Sequence, residues 1–181
     1  MLAVTGASGQ VYALDLARAL AEAGVPFHLV VSEGAGRVIP RELGDPGELF
    51  DLAARRYPAD DLAAPVASGS FPTRGMVVVP ASLATLAKVA WGIADNLVTR
   101  AALVHLKEGR PLVLVPRETP LPLPSLRAMV AAAEAGAVIL PASPGFYHRP
   151  REVADLVRFV TQRVLDQLGV ELDWAPRWEG A

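Results

Sequence analysis

Short apolar runs alternate with longer amphipathic stretches along this chain. The apolar runs predict strands at 2–5, 27–31, 76–79, 111–115 and 138–140. Apolar residues that recur every three or four positions predict helices at 11–23, 83–90, 96–107, 125–135 and 151–168. A further short helix is expected to follow Ser32 and to stop before Pro40. Continuously apolar strands separated by helices indicate an α/β fold, in which helices cover both faces of a parallel sheet.

Turn-forming and capping residues mark the expected ends of these elements. Gly24 is expected to end the first helix, and Pro80 is expected to end the third strand. Ser82 and Asp95 are expected to be the N-caps of the helices that follow them. Residues 41–74 are polar and rich in Pro and Gly, so they are expected to be irregular apart from a modest helical pattern at 46–55. The tail at 174–181 carries Trp174 and Trp178, and it is expected to form a strap that packs on a neighbouring chain or over a pocket.

Length and composition bound the kind of protein. With 181 residues the chain can bury the core of one domain, which is expected to span 1–181. It is 52% hydrophobic and has a mean hydropathy of +0.33, yet no apolar run reaches the roughly 18 residues needed to cross a bilayer. The surplus apolar surface is therefore expected to be buried between the subunits of a homo-oligomer.

Charge and residue usage exclude several classes. The net charge of −2 provides no positive field for nucleic acid. The chain has no cysteine, so disulfides and thiolate metal ligands are excluded. His28, His105 and His148 lack the spacing of a metal site, and no metal is expected. The first residues lack the charged stretch followed by an apolar segment that is typical of a signal peptide. A cytoplasmic protein is therefore expected.

The turn after the first strand is the strongest local motif. The sequence V-T-G-A-S-G-Q at 4–10 takes a strand through a tight turn, allowed by Gly6 and Gly9, into a helix. Amide groups at a helix N-terminus favour an anion, so a phosphate is expected here. The motif is not G-x-G-x-x-G, because Ala7 and Ser8 both separate the glycines. A purely steric need for two glycines is the alternative.

Other polar residues are expected to meet this turn. In parallel sheets, ligands bind beyond the carboxyl ends of the strands. The segments at those ends are 6–9, 32, 80–85, 116–118 and 141–147. All five of these segments carry hydroxyl or charged side chains, which favours one shared site.

Each of these residues also has a plainer interpretation. Ser82 and Thr85 could hold a polar edge of a ligand or simply cap a helix. Ser32 places a hydroxyl where dinucleotide enzymes usually place an acid, which suits a mononucleotide better. Arg117 and Glu118 suit an anionic ligand and a proton transfer, with surface charge as the alternative.

Three further residues could either bind a phosphate or have an ordinary structural position. Arg100 and Lys107 are seven residues apart on a predicted helix and share nearly one face, so they could clamp a phosphate or be solvated. The Tyr147 phenol, in P-G-F-Y-H-R-P, could reach a phosphate or lie at the edge of the core.

Six segments together resemble the UbiX-type flavin prenyltransferases, in order along nearly the whole chain. The run L-V-L-V-P-R-E-T-P-L and the G-S-F segment are the most specific. The matching segments are 6–9, 68–71, 75–80, 106–110, 112–118 and 163–169. The resemblance implies a Rossmann-like flavoprotein domain that joins a dimethylallyl group from dimethylallyl phosphate to N5 and C6 of reduced FMN.

The resemblance also implies site residues and partners. FMN would be bound by Gly6, Ala7, Ser8, Ser32, Ser82, Leu83, Ala84, Thr85 and Arg117. Dimethylallyl phosphate would be bound by Arg100, Lys107, Glu118, Tyr147 and Arg163, with Glu42 a lesser candidate. Ser8 and Glu118 would transfer protons without any metal. The family assembles as a dodecamer with sites shared between subunits, and it supplies prenylated FMN to a UbiD-type decarboxylase.

One departure and three rival functions accompany this resemblance. The family often has Cys-Ser-Met-Lys-Thr after the third strand, whereas this chain has alanine at Ala84 and so lacks one cation. An NAD(P)-dependent reductase is disfavoured by the absent third glycine and the absent Tyr-x-x-x-Lys pair. A flavoprotein cysteine decarboxylase would need a well-placed catalytic histidine. An FMN-binding partner subunit of a decarboxylase, without catalysis of its own, is the remaining alternative.

Overall fold

A computed structural model describes residues 1–178 and 180 of the chain. The strands are β1 (Leu2–Val4), β2 (His28–Val31), β3 (Arg55–Tyr57), β4 (Met76–Ala81), β5 (Leu112–Pro116) and β6 (Val138–Ile139). The helices are α1 (Gln10–Glu22), α2 (Glu33–Glu42), α3 (Gly47–Asp51), α4 (Leu83–Ala90), α5 (Leu97–Lys107), α6 (Leu123–Glu134) and α7 (Val153–Leu168). A short 3₁₀ helix occupies Pro65–Ala67.

All six strands are parallel and form one sheet in the order β3-β2-β1-β4-β5-β6. This order confirms the α/β prediction of a Rossmann-like sheet. The direction of strand addition reverses between β1 and β4. Ligands of such folds bind outside the carboxyl ends of the strands at this switch point.

Successive residues of each strand point to opposite faces of the sheet, and each face has its own core. Val77 and Val79 of β4 pack under α1, α2, α3 and α7, whereas Met76 and Val78 pack under α4, α5 and α6. Helices therefore cover both faces, as the apolar strands predicted. The ends of the strands are left for the loops that build the site.

The segment 46–55 differs from the helical prediction. Only α3 is helical there, and Arg55–Tyr57 forms β3, an edge strand that pairs with β2. The sequence R-R-Y does not alternate like a buried strand because one side of β3 is open and its two arginines are exposed. The sheet consequently has one strand more than the sequence predicted.

Two prolines also lie inside elements that were expected to end before them. β4 continues through Pro80 to Ala81, and its register with β5 shifts between Val78 and Ala81, where proline has no N–H to pair. α2 continues through Pro40 for two more residues. Proline costs one hydrogen bond in this last turn, and burial of Ile39 holds the helix to the core. The extension matters because it carries Glu42 to the site.

One predicted N-cap is shifted by one residue. Asn96 Oδ1, not Asp95, accepts a hydrogen bond from the Thr99 amide at 3.0 Å. The Asp95 carboxylate instead accepts from the Thr99 hydroxyl at 3.3 Å and pairs with Lys88. Asn96 caps because its extended backbone turns its side chain toward the free amides of α5.

The tail confirms part of the strap prediction. Residues 174–178 run along α7, and Trp174 donates through Nε1 to Asp15 Oδ2 of α1 at 2.8 Å. Arg177 and Trp178 line a cavity beside α7. Residues 179 and 181, which the strap prediction included, lie outside the described residues.

Two expected absences remain predictions. No helix among the described residues is long and apolar enough to cross a membrane. Residues 1–178 and 180 hold no group of three or more His, Asp or Glu side chains that could bind a metal ion. The cytoplasmic location and metal independence expected from the sequence are not tested by these findings.

His105 gives the fold a specific acid sensitivity. The residue is 1% exposed, and its Nδ1 and Nε2 atoms lie 2.7 Å from the Ala101 carbonyl and 2.8 Å from the Thr73 hydroxyl. Burial lowers its pKa from 6.5 to about 4. The unfolded chain therefore binds this proton at a higher pH than the folded protein does. Stability conferred by the neutral ring is complete above pH 6.5 and is lost as pH falls toward 4.

We expect denaturant unfolding at several pH values to detect this loss of stability. Between pH 6.5 and 4, the free energy of unfolding should fall by up to about 1.4 kcal/mol per pH unit from His105 alone. A His105→Gln variant should be less stable at pH 7 and should show a shallower fall. Equal slopes for the two proteins would contradict this assignment.

Candidate functional site

The ends of β1 and β4 are joined at the switch point by Thr5. Its hydroxyl donates to the Pro80 carbonyl and accepts from the Ser82 amide, both at 2.7 Å. The side-chain nitrogen Nε2 of Gln10 donates to two backbone carbonyls of this segment, that of Thr5 at 2.9 Å and that of Ala7 at 2.7 Å. These buried bonds hold the turn after β1 and the start of α4 side by side.

The loop after β1 and the first turn of α2 approach each other backbone to backbone. A Cβ on Gly6 would lie 3.1 Å from the Gly34 backbone, and one on Gly34 would lie 3.3 Å from Gly6 Cα. The Ser32 amide donates to the Val4 carbonyl at 2.9 Å. Glycine at both positions therefore brings Ser32 beside the first turn.

Glu42 occupies the N-terminus of α1. Its Oε2 atom accepts from the Gly9 and Gln10 amides, both at 2.8 Å. Burial disfavours the charged carboxylate, but hydrogen bonds from Ser8, Gln10 and Gly9 outweigh it and lower the pKa of Glu42 below its usual value. A phosphate was expected at these amides, and Glu42 already takes two of them. The amides of Ala7 and Ser8 find no acceptor among the described residues.

Arg117 closes over the same turn. Its Nε donates to the Ser8 carbonyl at 2.9 Å, and its side chain lies against Gly9. The two terminal nitrogens of its guanidinium have no protein acceptor within the described part of the chain. Arg117 can therefore fix the turn and still donate to an anion.

The predicted serines both cap helices. Ser32 Oγ accepts from the Ala35 amide at 3.2 Å, and Ser82 Oγ accepts from the Thr85 amide at 3.2 Å. Ser82 also donates to the Thr85 hydroxyl at 3.0 Å. Capping leaves the Ser32 hydroxyl proton and the first amides of α2 and α4, including those of Leu83 and Ala84, pointing to the loops. These donors surround the switch point and fit an anionic mononucleotide such as FMN.

Glu118 lines a neighbouring cavity of about 280 Å³ at the ends of β5 and β6. Its Oε1 atom accepts from the Thr119 amide at 3.0 Å, which orients an otherwise exposed carboxylate. Arg117 and Ser143 line the same cavity. Glu118 and Arg117, the acid and the cation that follow β5, thus line the same cavity.

Tyr147 and Arg163 line a third space, of about 260 Å³, between α7 and the strap. The Tyr147 ring packs edge-on against Phe159 and Trp178, with centroid distances of 5.7 Å and 5.3 Å. Arg163 Nη1 donates to Asp166 Oδ2 at 2.9 Å. A cavity of about 310 Å³, lined by Ser143 and Arg163 among others, continues from here along β6. Arg163 thus lines two neighbouring cavities, and Ser143 lines both the second of these and the Glu118 cavity.

Arg100 and Lys107 lie elsewhere in the single chain. Both are on α5, which covers the opposite face of the sheet from α7. Arg100 Nε donates to the Ala67 carbonyl at 3.0 Å, and Lys107 pairs with Glu108. Seven residues of helix separate them by about 10 Å. One chain does not bring these cations to Arg163 or Glu118.

Sequence reasoning missed several residues that shape the site. Thr5 was taken only as the end of a strand, although a hydroxyl directly before Gly6 marks a strand end at a switch point. Gly34 carried no motif signal, and Asp166 was only part of a matching segment, because their importance comes from contacts with Gly6 and Arg177 elsewhere in the chain.

Comparisons with known proteins find relatives that match nearly the whole chain. The family model described as Flavoprotein matches residues 1–164. The flavin prenyltransferase UbiX of Deinococcus radiodurans is 54% identical over 179 residues, which are 98% of this chain and 92% of that protein.

Solved structures agree in fold as well as sequence. The crystal structure of AnUbiX (PadA1) in complex with FMN and dimethylallyl pyrophosphate superposes with a TM-score of 0.97 at 41% identity, covering 99% of this chain and 96% of that one. A dodecameric FMN-dependent UbiX-like decarboxylase from Escherichia coli O157:H7 superposes with a TM-score of 0.95 at 45% identity, covering 99% and 98%.

Proposed function

Since the chain belongs to the flavoprotein family and, within it, to the UbiX-type flavin prenyltransferases, we propose that residues 1–181 act as one flavin-prenylating domain. The enzyme transfers the dimethylallyl group of dimethylallyl phosphate to N5 and C6 of reduced FMN. The observation that carries this proposal is the ring of free amide, hydroxyl and guanidinium donors at the switch point, next to the Glu118 cavity. The product would serve a UbiD-type decarboxylase, as the resemblance implies.

FMN is held, in this proposal, by the loops after β1, β2 and β4. The residues assigned to it are Gly6, Ala7, Ser8, Ser32, Ser82, Leu83, Ala84, Thr85 and Arg117. Support comes from the free amides of Ala7 and Ser8 and the free nitrogens of Arg117. The alanine at position 84 leaves recognition there to the backbone amide and neighbouring hydroxyls.

When bound, reduced FMN supplies the nucleophilic N5 and the ring carbon C6 that become bonded to the dimethylallyl group. Bond formation at N5 breaks the allylic C–O bond, and the phosphate leaves with the electron pair. Cations stabilise that developing charge. Arg163 lines a cavity suited to an anion, and Arg100 and Lys107 are the other assigned cations. Tyr147 would bind the donor beside Arg163.

N5 and C6 must each lose a proton in this reaction while the dimethylallyl alkene gains one, and two carboxylates are available. Ser8 helps to lower the pKa of Glu42, which is therefore ionised at neutral pH. Ser8 can therefore pass the N5 proton to Glu42, which gives Glu42 a role in proton transfer rather than in donor binding. To close the ring, C2 of the dimethylallyl group would take up a proton, which the released phosphate can supply, so that C3 can bond to C6, and Glu118 would accept the proton that C6 loses.

The assigned cations are proposed to meet in an oligomer. α5 and α7 lie on opposite faces of one chain, so Arg100 and Lys107 would reach Arg163 and Glu118 of another copy. Exposed apolar side chains, including Trp91, Leu123 and Val130, support burial between copies. The dodecameric assembly of a close structural neighbour supports the same arrangement.

Mass analysis of the flavin tests the reaction itself. After anaerobic incubation with reduced FMN and dimethylallyl phosphate, the extracted flavin should gain C5H8, which is one dimethylallyl group in place of one hydrogen, and inorganic phosphate should be released. Bound but unmodified FMN would instead support the alternative of a partner subunit without catalysis. Failure of the purified protein to bind added FMN would reject both.

Arg163→Ala tests the donor site. A surface arginine would contribute only about 0–1 kcal/mol, whereas a charge-assisted bond to a phosphate in a shielded pocket contributes about 1.5–3 kcal/mol. We expect kcat/KM for dimethylallyl phosphate to fall roughly 10- to 100-fold, with FMN affinity nearly unchanged. Weaker FMN binding with normal use of the donor would contradict the assignment.

Subunit complementation tests the shared site. Lys107→Ala and Glu118→Gln chains should each be poorly active alone, but their co-expression should restore activity, because some sites in hybrid oligomers would carry both wild-type residues. Ser8→Ala with Glu118→Gln is the control. The Ser8 carbonyl accepts from Arg117, and Glu118 lines the same cavity as Arg117, so one chain supplies both residues to a site. No site in a hybrid oligomer would then carry both wild-type residues, and this pair should not complement. Equal results for the two pairs would argue against sharing.

A further inference from the structure

Asp166 is the most heavily hydrogen-bonded carboxylate beside the donor cavity. Oδ1 accepts from Gln162 Nε2 at 3.0 Å and Arg177 Nη2 at 2.9 Å. Oδ2 accepts from Arg163 Nη1 at 2.9 Å and Arg177 Nη1 at 3.2 Å. Each oxygen thus has two donors, which is the full capacity of an ionised carboxylate. The side chain of Asp166 is 21% exposed, whereas those of Arg163 and Arg177 are 52% and 48% exposed.

The same turn of α7 anchors the strap, which we define as residues 174–178. Gln162 is buried, and its Oε1 atom accepts from the amides of Trp174 at 2.6 Å and Ala175 at 3.1 Å. Arg177 then reaches back to Asp166 with two nitrogens. The strap therefore cannot shift along α7 without breaking the bonds of Asp166. Its Trp178 ring in turn packs on Tyr147.

We propose that Asp166 is a positioning residue for prenyl-donor binding, acting through Arg163 and, across the strap, through Arg177. This inference rests on the proposed role of Arg163 in donor binding. Asp166 engages only Nη1 of Arg163, so Nη2 and Nε have no protein acceptor among the described residues, and Arg163 lines the cavity. A flexible arginine fixed at one nitrogen loses less side-chain freedom when it binds a phosphate.

The charges around Asp166 also suit an anion. Two guanidinium groups flank one carboxylate, so the cavity keeps a net positive charge while each arginine has a fixed partner. Without Asp166 the two cations would repel each other and separate. Asp173, the other partner of Arg177, lies at 3.4 Å and is 92% exposed, so it contributes little to this arrangement.

The test compares Asp166→Asn with Asp173→Asn, which makes the same chemical change at the other partner of Arg177. Steady-state prenylation is measured with dimethylallyl phosphate and reduced FMN varied separately. For Asp166→Asn we expect KM for dimethylallyl phosphate to rise about tenfold, with FMN affinity and the melting temperature close to wild type. Asp173→Asn should behave as wild type in all three measurements.

A double variant separates positioning from a general structural effect. If Asp166 acts through Arg163, adding Asp166→Asn to Arg163→Ala should raise the donor KM no further. A further tenfold rise would overturn the proposal, as would an unchanged donor KM in folded Asp166→Asn. A lower donor KM would also overturn it, since Asp166 would then compete with phosphate for Arg163. Failure of the wild-type protein to prenylate FMN would instead reject the underlying function.

If Asp166→Asn does not fold, Arg177→Gln removes the link to the strap and leaves the Asp166–Arg163 pair intact. That variant should raise the donor KM by a smaller factor and leave FMN affinity unchanged. A wild-type donor KM in Arg177→Gln would show that the strap has no part in positioning Arg163.

Discussion

Replacing Gly9 by valine is expected to abolish FMN binding without unfolding the protein. Gly9 has a φ of 107°, which L-residues rarely adopt, and a Cβ there would lie 3.0 Å from the Tyr12 ring. Strain of this kind costs about 1–3 kcal/mol. The turn would relieve it by moving, which would break the bonds of Glu42 to Gly9 and Gln10 and shift the free amides of Ala7 and Ser8.

Gly24→Val is the matched control for this prediction. Gly24 also has a positive φ, of 65°, but a Cβ there meets nothing within 4 Å, and the residue follows the far end of α1. Both variants should lose some stability, measured by thermal unfolding. Only Gly9→Val should lose flavin absorbance after purification with added FMN. A normal flavin content in Gly9→Val would mean that the turn does not bind FMN.

The periodicity of apolar residues predicted the layers of this fold because burial on two faces leaves a strong signal. Central strands such as β4 and β5 are apolar at nearly every position, and helices such as α7 repeat with their own period. The edge strand β3 left no such signal, since an exposed edge accepts arginines. Edge strands and short helices are where the chain departed from the prediction.

The site was predictable in its strand ends and unpredictable in its cross-connections. Gly6 to Gly9 and Arg117 follow buried strands, so topology alone brings them to one edge. The place of Glu42 depended on α2 continuing through Pro40, which local rules argue against. The link of Asp166 to the tail was also hidden, since Arg177 meets it across 11 positions.

Replacing Glu118 by glutamine is expected to slow prenylation by about 10² to 10⁴, the usual contribution of a general base. Glutamine keeps the size of the side chain and an oxygen that can accept from the Thr119 amide, as Glu118 does at 3.0 Å. It removes only the ability to take a proton. FMN binding and thermal stability should therefore remain close to wild type.

A single-turnover measurement under anaerobic, reducing conditions isolates this step of the Glu118→Gln reaction. The exposed Glu134, at the end of α6, provides a matched control, and Glu134→Gln should react at the wild-type rate. Phosphate release should continue in Glu118→Gln if C–O bond cleavage precedes the loss of the C6 proton, while ring closure lags behind it. If ring closure in Glu118→Gln keeps its wild-type rate, the released phosphate takes that proton and Glu118 only lines the cavity.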